Sequence, residues 1–270
     1  MAEDRGILRE VWEGKVPVSF TLSAEEVSTY EHPESCYLLV PRHSYFPLFL
    51  DKLQKHFINY VNGDESDVWL ENTNTNQPIK WHYPVGVLFD LLNSSHSLPW
   101  NLTVHFKNFP DSIFRWNNRD AIESHFMSCI KEADALKHLG KVISGMQIQH
   151  HKQLWAGLLS DKFEQFWAVN KKLMEGDGDE SFKSIPFKIY QGDSRHIQKL
   201  FKPQNERGDS KTLRDMIQEV APECFDENGE LNQKIITHGI EMPLESDIIW
   251  LSEHLSYPDN FLHICLIPLE

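Results

Sequence analysis

The chain has 270 residues, 40% hydrophobic and 11% aromatic, enough to bury a sizeable core and long enough for two or three domains. Its formal net charge of -14 argues against a general nucleic-acid binder, which needs a basic face to neutralise phosphates, and suits solubility and protein partners instead. No apolar run approaches the roughly 18 residues a membrane span requires, and the first fourteen residues lack the basic and apolar regions of a secretory signal, so a cytosolic chain is expected.

In chain order, "VPVSFTLS" (Val16 to Ser23) and "CYLLVPR" (Cys36 to Arg42) are rich in branched and aromatic residues and predict strands. "PLFLDKLQKHFINYV" predicts a helix that begins near Pro47 and turns Leu50, Leu53, Phe57 and Val61 to one face. "DVWLEN" and "PIKWHY" predict strands, "PVGVLFDLL" a short helix and "NLTVHF" a closing strand. From about Ser112 to Met174 strand signals vanish and long helical patterns replace them, with Leu154, Leu158, Phe163, Phe166 and Leu173 at core spacing. "EGDGDES" (Glu175 to Ser181) is small and acidic and predicts a linker.

The last third repeats the logic of the first: "IPFKIYQ" and "HIQKLFKP" as strands, "TLRDMIQEVAP" as a helix, "KIITHGIEMP" as a strand, "SDIIWLSEHL" as a short helix and "NFLHICLIP" as a strand. Pro84 and Pro99 flank the short helix of the first part, Pro243 and Pro258 flank that of the third, and Asn101 and Asn260 each stand two residues after the second proline. That shared offset favours a duplicated module. The order of elements is that of a β-grasp, ubiquitin-like domain. The expected class is therefore α+β, with two ubiquitin-like domains flanking a helix-rich domain. The expected division is an N-terminal helix and first ubiquitin-like domain over 1–111, the helix-rich domain over 112–181, and the second ubiquitin-like domain over 182–270. The sequence given ends "ICLIPLE" without a diglycine, so it is not expected to serve as the donor in ubiquitin-like conjugation.

Cys36, Cys129, Cys224 and Cys265 have no CxxC or zinc-ligand spacing, which suits buried thiols in a reducing compartment. For the same reason the sequons at Asn93 and Asn101 are expected to carry no sugar. "GDSR" (Gly192 to Arg195) and "GDSK" (Gly208 to Lys211) lack a nucleophile-elbow context and predict turns. His150 and His151 lack the spacing of a helical zinc site and are expected to be solvated. No phosphate loop is present. No metal, cofactor or catalytic residue is expected.

One stretch holds more chemistry. "MSCIKEADALKH" (Met127 to His138) continues a helical pattern that Asp120 could cap, with Glu123 three residues on to close a capping box. Taking Ile122 as zero, Phe126 falls near roughly 40°, Cys129 near 340°, Ile130 near 80°, Ala133 near 20° and Leu136 near 320°. Cys129 thus lies in the buried stripe, as a small core hydrophobe whose thiol burial would not activate. Lys131 falls at about 180°, opposite the stripe, and Ser124, Ser128 and Ala135 beside it leave the lysine over small residues. Spacing alone leaves Lys131 readable as an ordinary solvated lysine or as an accessible amine.

The blocks "KWHYPVGVLFDLL", "LPWNLTVHFK", "HFMSCIKEADALKH", "HKQLW", "DKFEQFW" and "WLSEHLSYPDNFLHI" resemble the autophagy protein five family along the whole chain. The resemblance implies two ubiquitin-like domains around a helix-rich one. It also implies that the lysine of "KEADALKH", Lys131 here, is the covalent acceptor for the C-terminal glycine of the ubiquitin-like modifier autophagy protein twelve. The activating enzyme autophagy protein seven and the conjugating enzyme autophagy protein ten would carry the modifier as thioesters. The conjugate would bind the coiled-coil autophagy protein sixteen and act as a ligase-like scaffold. It would promote transfer of a second ubiquitin-like protein to phosphatidylethanolamine, peripherally on preautophagosomal membranes. The chain itself would be no enzyme and would need no cofactor. Two alternatives remain: a cysteine-dependent transferase using Cys129, and a non-covalent structural adaptor. Gly140 predicts that the helix ends soon after His138, which puts Lys131 in its last two turns.

Overall fold

A computed structural model describes residues 2–62, 68–93, 97–116, 118–175, 182–192 and 196–269. The chain divides into two compact units, Gly14–Ile122 and Met1–Glu13 with Glu123–Glu270. The expected linker "EGDGDES" lies outside the described residues beyond Glu175, as does most of "GDSR".

In the unit Gly14–Ile122, strands β1 (Lys15–Leu22), β2 (Cys36–Pro41), β3 (Trp69–Asn72), β4 (Gln77–Pro78) and β5 (Trp100–His105) form one sheet in the order β2-β1-β5-β3-β4. β1 and β5 run parallel, with Val18 opposite Trp100, Phe20 opposite Leu102 and Leu22 opposite Val104. The period of two along β1 sends these side chains inward. They meet helices α2 (Leu50–Phe57) and α3 (Val85–Leu92) through Leu53, Phe57, Val85 and Leu88, all buried. Phe46, Phe20, Trp100 and Phe89 close the core with ring centroids 5.7 to 6.1 Å apart. Each such side chain contributes roughly 1.5–3 kcal/mol by leaving water. A buried ion pair stands within this apolar core: Arg42 donates to Asp90 Oδ1 at 2.5 Å and to the Gly86 carbonyl at 3.2 Å.

"PIKWHY" does not continue as a strand. After Pro78 only Ile79 bonds back to Leu70, and the amides of Trp81 and Tyr83 then close turns onto Ile79 and Lys80. The indole of Trp81 donates to the Phe114 carbonyl at 2.8 Å, which anchors the turn that replaces the expected pairing.

The other unit begins with α1 (Ala2–Glu13), followed by α4 (Arg119–His138, from Glu123 onward), α5 (Lys141–Ser144), α6 (Ile148–Leu159) and α7 (Phe163–Met174). α6 and α7 carry all five apolar residues expected at core spacing, each buried. Where they cross, a Cβ on Gly157 would stand 2.8 Å from the Phe166 amide nitrogen, so only glycine permits that approach. α1 is pinned to α7 by Trp12 against Phe163 and Phe166 at 6.0 and 5.0 Å, and by Arg5 and Arg9, which share the Glu164 carboxylate. His150 and His151 are half-buried on α6 rather than solvated.

The second sheet contains β6 (Phe187–Gln191), β7 (Gln233–Thr237), β8 (Ile240–Glu241) and β9 (Leu262–Pro268), in the order β6-β9-β7-β8. β6 and β9 are parallel, as β1 and β5 are in the first. α8 (Leu213–Val220) starts at a capping box between Thr212 and Asp215, and α9 (Ile248–His254) at Asp247, whose side chain accepts from the Trp250 amide. "HIQKLFKP" forms no strand, only a bridge between Ile197 and Ile189. The repeated prolines mark different local geometry: Pro84 abuts α3, whereas Pro243 precedes α9 by several residues. Asn101 lies within β5, while Asn260 turns the chain at φ 65° before β9. The shared plan is the central parallel pair flanked by an antiparallel neighbour. "GDSK" begins at the end of a turn, Asn205 to Gly208, with Asn205 Oδ1 accepting from the Arg207 and Asp209 amides, and its Ser210 returns to bridge Gln204.

Candidate functional site on the long helix

α4 is the longest helix and carries both candidate residues. Its N-terminal amides are met by Asn118, whose Oδ1 accepts from the Ala121 amide at 3.0 Å. The cap therefore stands two residues earlier than expected, and Asp120 lies in the first turn, where its negative charge interacts favourably with the positive end of the helix dipole. At the other end Leu139 and Gly140 both take positive φ, 57° and 77°, and the Gly140 amide returns to the Asp134 carbonyl at 3.2 Å. The helix stops at His138, which leaves Lys131 in its last two turns.

The helical period sorts the side chains as expected. Ile122, Phe126, Cys129, Ile130 and Ala133 are buried, and Leu136 is partly so. Phe126 packs against Trp155 of α6 and Phe166 of α7, with ring centroids at 5.8 and 6.5 Å. Cys129 and Ala133 meet Phe261, just before β9. On the opposite face Lys131, Ser124, Ser128 and Ala135 are exposed, and Ser128 returns its hydroxyl to the Ser124 carbonyl at 2.8 Å. The Lys131 amine makes no hydrogen bond or ion pair with any described residue. Nothing described has to be broken for it to react. Beside it, Glu132 accepts a hydrogen bond from Gln198 at 2.6 Å.

Cys129 is 6% exposed. Its sulfur lies 3.9 Å from His125 Nε2, one turn back, and 3.9 Å from the Lys188 amine. The histidine neighbour escaped sequence reasoning, although an i, i+4 pairing on one helix is a legible signal. It does not activate the thiol. Burial pushes the Cys129 pKa up to about 12, and the carboxylates of Asp259 and Glu132 add to that against the opposing charge of Lys188. A thiol so held has almost no thiolate at neutral pH and is a poor nucleophile.

Two polar groups behind the helix were not anticipated. Lys137 is 1% exposed; its amine donates to the Met174 sulfur at 3.3 Å and sits 4.6 Å from the centre of the Phe182 ring. Burial lowers its pKa to about 7, with Glu253 and Asp134 opposing the shift. The helical wheel held this signal, because Lys137 falls at about 60°, inside the apolar stripe. The other group centres on His263, whose Nε2 lies 2.9 Å from Asp259 while its Nδ1 meets the Tyr190 hydroxyl at 2.8 Å. Burial drives the histidine pKa down against the pull of Asp259. For Asp259, burial is outweighed by His263, Lys188 and the Phe261 amide, so its carboxyl lies below the ordinary value. Lys188 covers the face of Phe261 at 4.1 Å and completes a polar seat for α4. Among the described residues, no group of three or more His, Cys, Asp or Glu could hold a metal ion.

Three family models match consecutive stretches of the chain: Autophagy protein ATG5, UblA domain, over residues 11–106; its alpha-helical bundle region over 119–176; and its UblB domain over 184–266. Autophagy protein 5 of Drosophila melanogaster is 46% identical over 270 residues, covering 98% of this chain and 97% of the relative. Autophagy-related protein 5 of Caenorhabditis elegans is 32% identical over 273 residues, with 98% of each covered. The crystal structure of Kluyveromyces marxianus Atg5 shares the fold, with a TM-score of 0.82 at 20% identity over 97% of this chain and 99% of that one. With matches at this identity over nearly its whole length, the chain belongs to the autophagy protein 5 family and has a role in autophagy.

Proposed function

We propose that this chain is a non-enzymatic conjugation acceptor and scaffold of autophagy, and that Lys131 takes the C-terminal glycine of the ubiquitin-like modifier autophagy protein twelve. The observation that carries the reading is the state of Lys131: an exposed amine with no described partner, on the outward face of α4 among small side chains. In the reaction the neutral amine attacks the thioester carbonyl on the conjugating enzyme, autophagy protein ten, which is loaded through autophagy protein seven. A carbon–nitrogen bond forms, the carbon–sulfur bond breaks, and the thiol leaves. The chemistry belongs to the carrier; this chain supplies the nucleophile and a rigid mount.

The conjugate would join the coiled-coil autophagy protein sixteen and promote lipidation of a second ubiquitin-like protein on preautophagosomal membranes. Attachment would be peripheral. Among the described residues no helix is long and apolar enough to cross a membrane. The competing transferase reading needs a thiolate at Cys129, which the buried setting of that thiol opposes.

The test is Lys131→Arg, which keeps the charge and removes a usable nucleophile. The expected result is complete loss of the high-mass adduct on denaturing gels, with the circular dichroism spectrum unchanged. An adduct that persists on that variant overturns the assignment.

A further inference from the structure

The two sheets end in four edge strands, β2, β4, β6 and β8, and three of them are short or covered. β4 and β8 have two residues each, and the outer side of β6 is occupied by Ile197, which exchanges both backbone hydrogen bonds with Ile189 at 2.8 and 3.0 Å. Folded proteins blunt sheet edges in such ways because a row of unpaired N–H and C=O groups is a template for another strand. β2 differs: it is six residues long and, among the described residues, pairs with β1 alone.

The β1–β2 register shows which backbone groups of β2 are open. The Arg42 amide donates to the Gly14 carbonyl at 2.9 Å, so Val40, Leu38 and Cys36 continue the bonded pairs, while Tyr37, Leu39 and Pro41 turn their backbone groups away from β1. Pro41 has no N–H, and its carbonyl accepts the Ser44 amide. That leaves two donors and two acceptors, on Tyr37 and Leu39. Their side chains stand on the outer face, 69% and 62% exposed, with Pro17 opposite Leu39. Cys36 and Leu38 lean the other way, partly buried against the core on the side of α2. α2 reaches this strand: His56 meets the Glu34 carbonyl at 2.9 Å just before β2, and the charge of Lys52, one turn earlier, acts on the Cys36 thiol, whose pKa burial raises and the lysine lowers. Lys52 is exposed and makes no hydrogen bond or ion pair with any described residue.

We propose that β2 is a docking edge for an extended segment of another protein, about five residues long, with apolar side chains at alternate positions and a carboxylate between them. The segment adds a strand through the N–H and C=O groups of Tyr37 and Leu39. Its apolar residues cover Tyr37, Leu39 and Pro17, and its carboxylate, turned to the opposite face, meets Lys52. A second copy of β2 is a poorer occupant, because "CYLLVP" has no carboxylate to offer that lysine. The surface is separate from Lys131 and does not depend on its role.

The experiment selects displayed random peptides of about seven residues on the immobilised full chain. Enriched peptides are then titrated by fluorescence anisotropy against the wild type, Leu39→Pro and Lys52→Glu. The expected peptides alternate apolar residues with Asp or Glu. They should bind at least about tenfold more weakly to Leu39→Pro, which removes an N–H from the open side only, and more weakly to Lys52→Glu. Hydrogen exchange at the Tyr37 and Leu39 amides should slow when peptide is bound. No enrichment, or peptides that bind all three proteins equally, overturns the proposal. A dimer of the wild type in sedimentation that Leu39→Pro dissolves would assign the edge to a second copy and overturn it as well. Should Leu39→Pro fail to fold, the same peptides N-methylated at alternate residues are judged on the wild type by the same loss.

Discussion

Lys131 and Lys137 stand six residues apart on one helix and meet opposite solvents. The first projects into water with no described partner; the second is sealed beneath the helix against a thioether and an aromatic ring. The contrast shows that the chemistry of a lysine here is set by its angle on the helix. An exposed amine is open to a macromolecular carrier, whereas a buried one is penalised for carrying its charge and kept from any reagent larger than water.

The strongest way to break that contrast is to reverse the charge at each position. Lys137→Glu puts a carboxylate near Glu253 and Asp134 without water, and should cost about 3–5 kcal/mol in chemical denaturation at neutral pH. Lys131→Glu should stay within about 0.5 kcal/mol of wild type. Equal losses at the two positions would show that the environments do not differ as described.

Lys137→Met sharpens the comparison by keeping the shape and removing the amine. Burial lowers the folded-state pKa from 10.5 to about 7, so between those values the unfolded chain holds a proton that the folded chain has given up. Stability of the wild type therefore rises with pH across that window. The methionine variant should be more stable by about 1–4 kcal/mol at neutral pH and below, and its advantage should fade as the pH climbs towards 10.5. A difference that is flat across the window would contradict a buried, titrating amine.

The smallest expected effect is at Cys129. Cys129→Ser exchanges the thiol for a smaller, more strongly hydrated hydroxyl at a buried position, for a loss of about 1 kcal/mol, and should leave the adduct undiminished. If the wild-type adduct is instead cleaved by excess thiol and missing from this variant, the thioester reading returns.

The parts legible in the sequence are those fixed by local period. The strands around Phe20 and Leu102, the short helix in "SDIIWLSEHL" and the division of α4 into inward Cys129 and outward Lys131 all follow from neighbours within a turn or two. What was missed depends on distant residues. "PIKWHY" has strand composition, but Trp81 spends its indole on the Phe114 carbonyl and the backbone turns to allow it. "HIQKLFKP" reaches β6 through one bridge at Ile197. The contact of His263 with Asp259 depends on the reversal at Asn260; "YPDN" has the composition of a turn, but not the information of which side chains the turn brings together. Lys137 is a different kind of omission: its angle was available, but a lysine is not ordinarily sought among apolar residues.

The crossing of α6 and α7 at Gly157 reaches further than that one contact. The aromatic rings under α4 rest on those two helices, so their spacing sets the height of the floor on which α4 lies. That spacing is fixed by a hydrogen atom where every other amino acid would place carbon. The exposed amine of Lys131 is thus levelled, through two layers of side chains, by the smallest substituent a protein can offer.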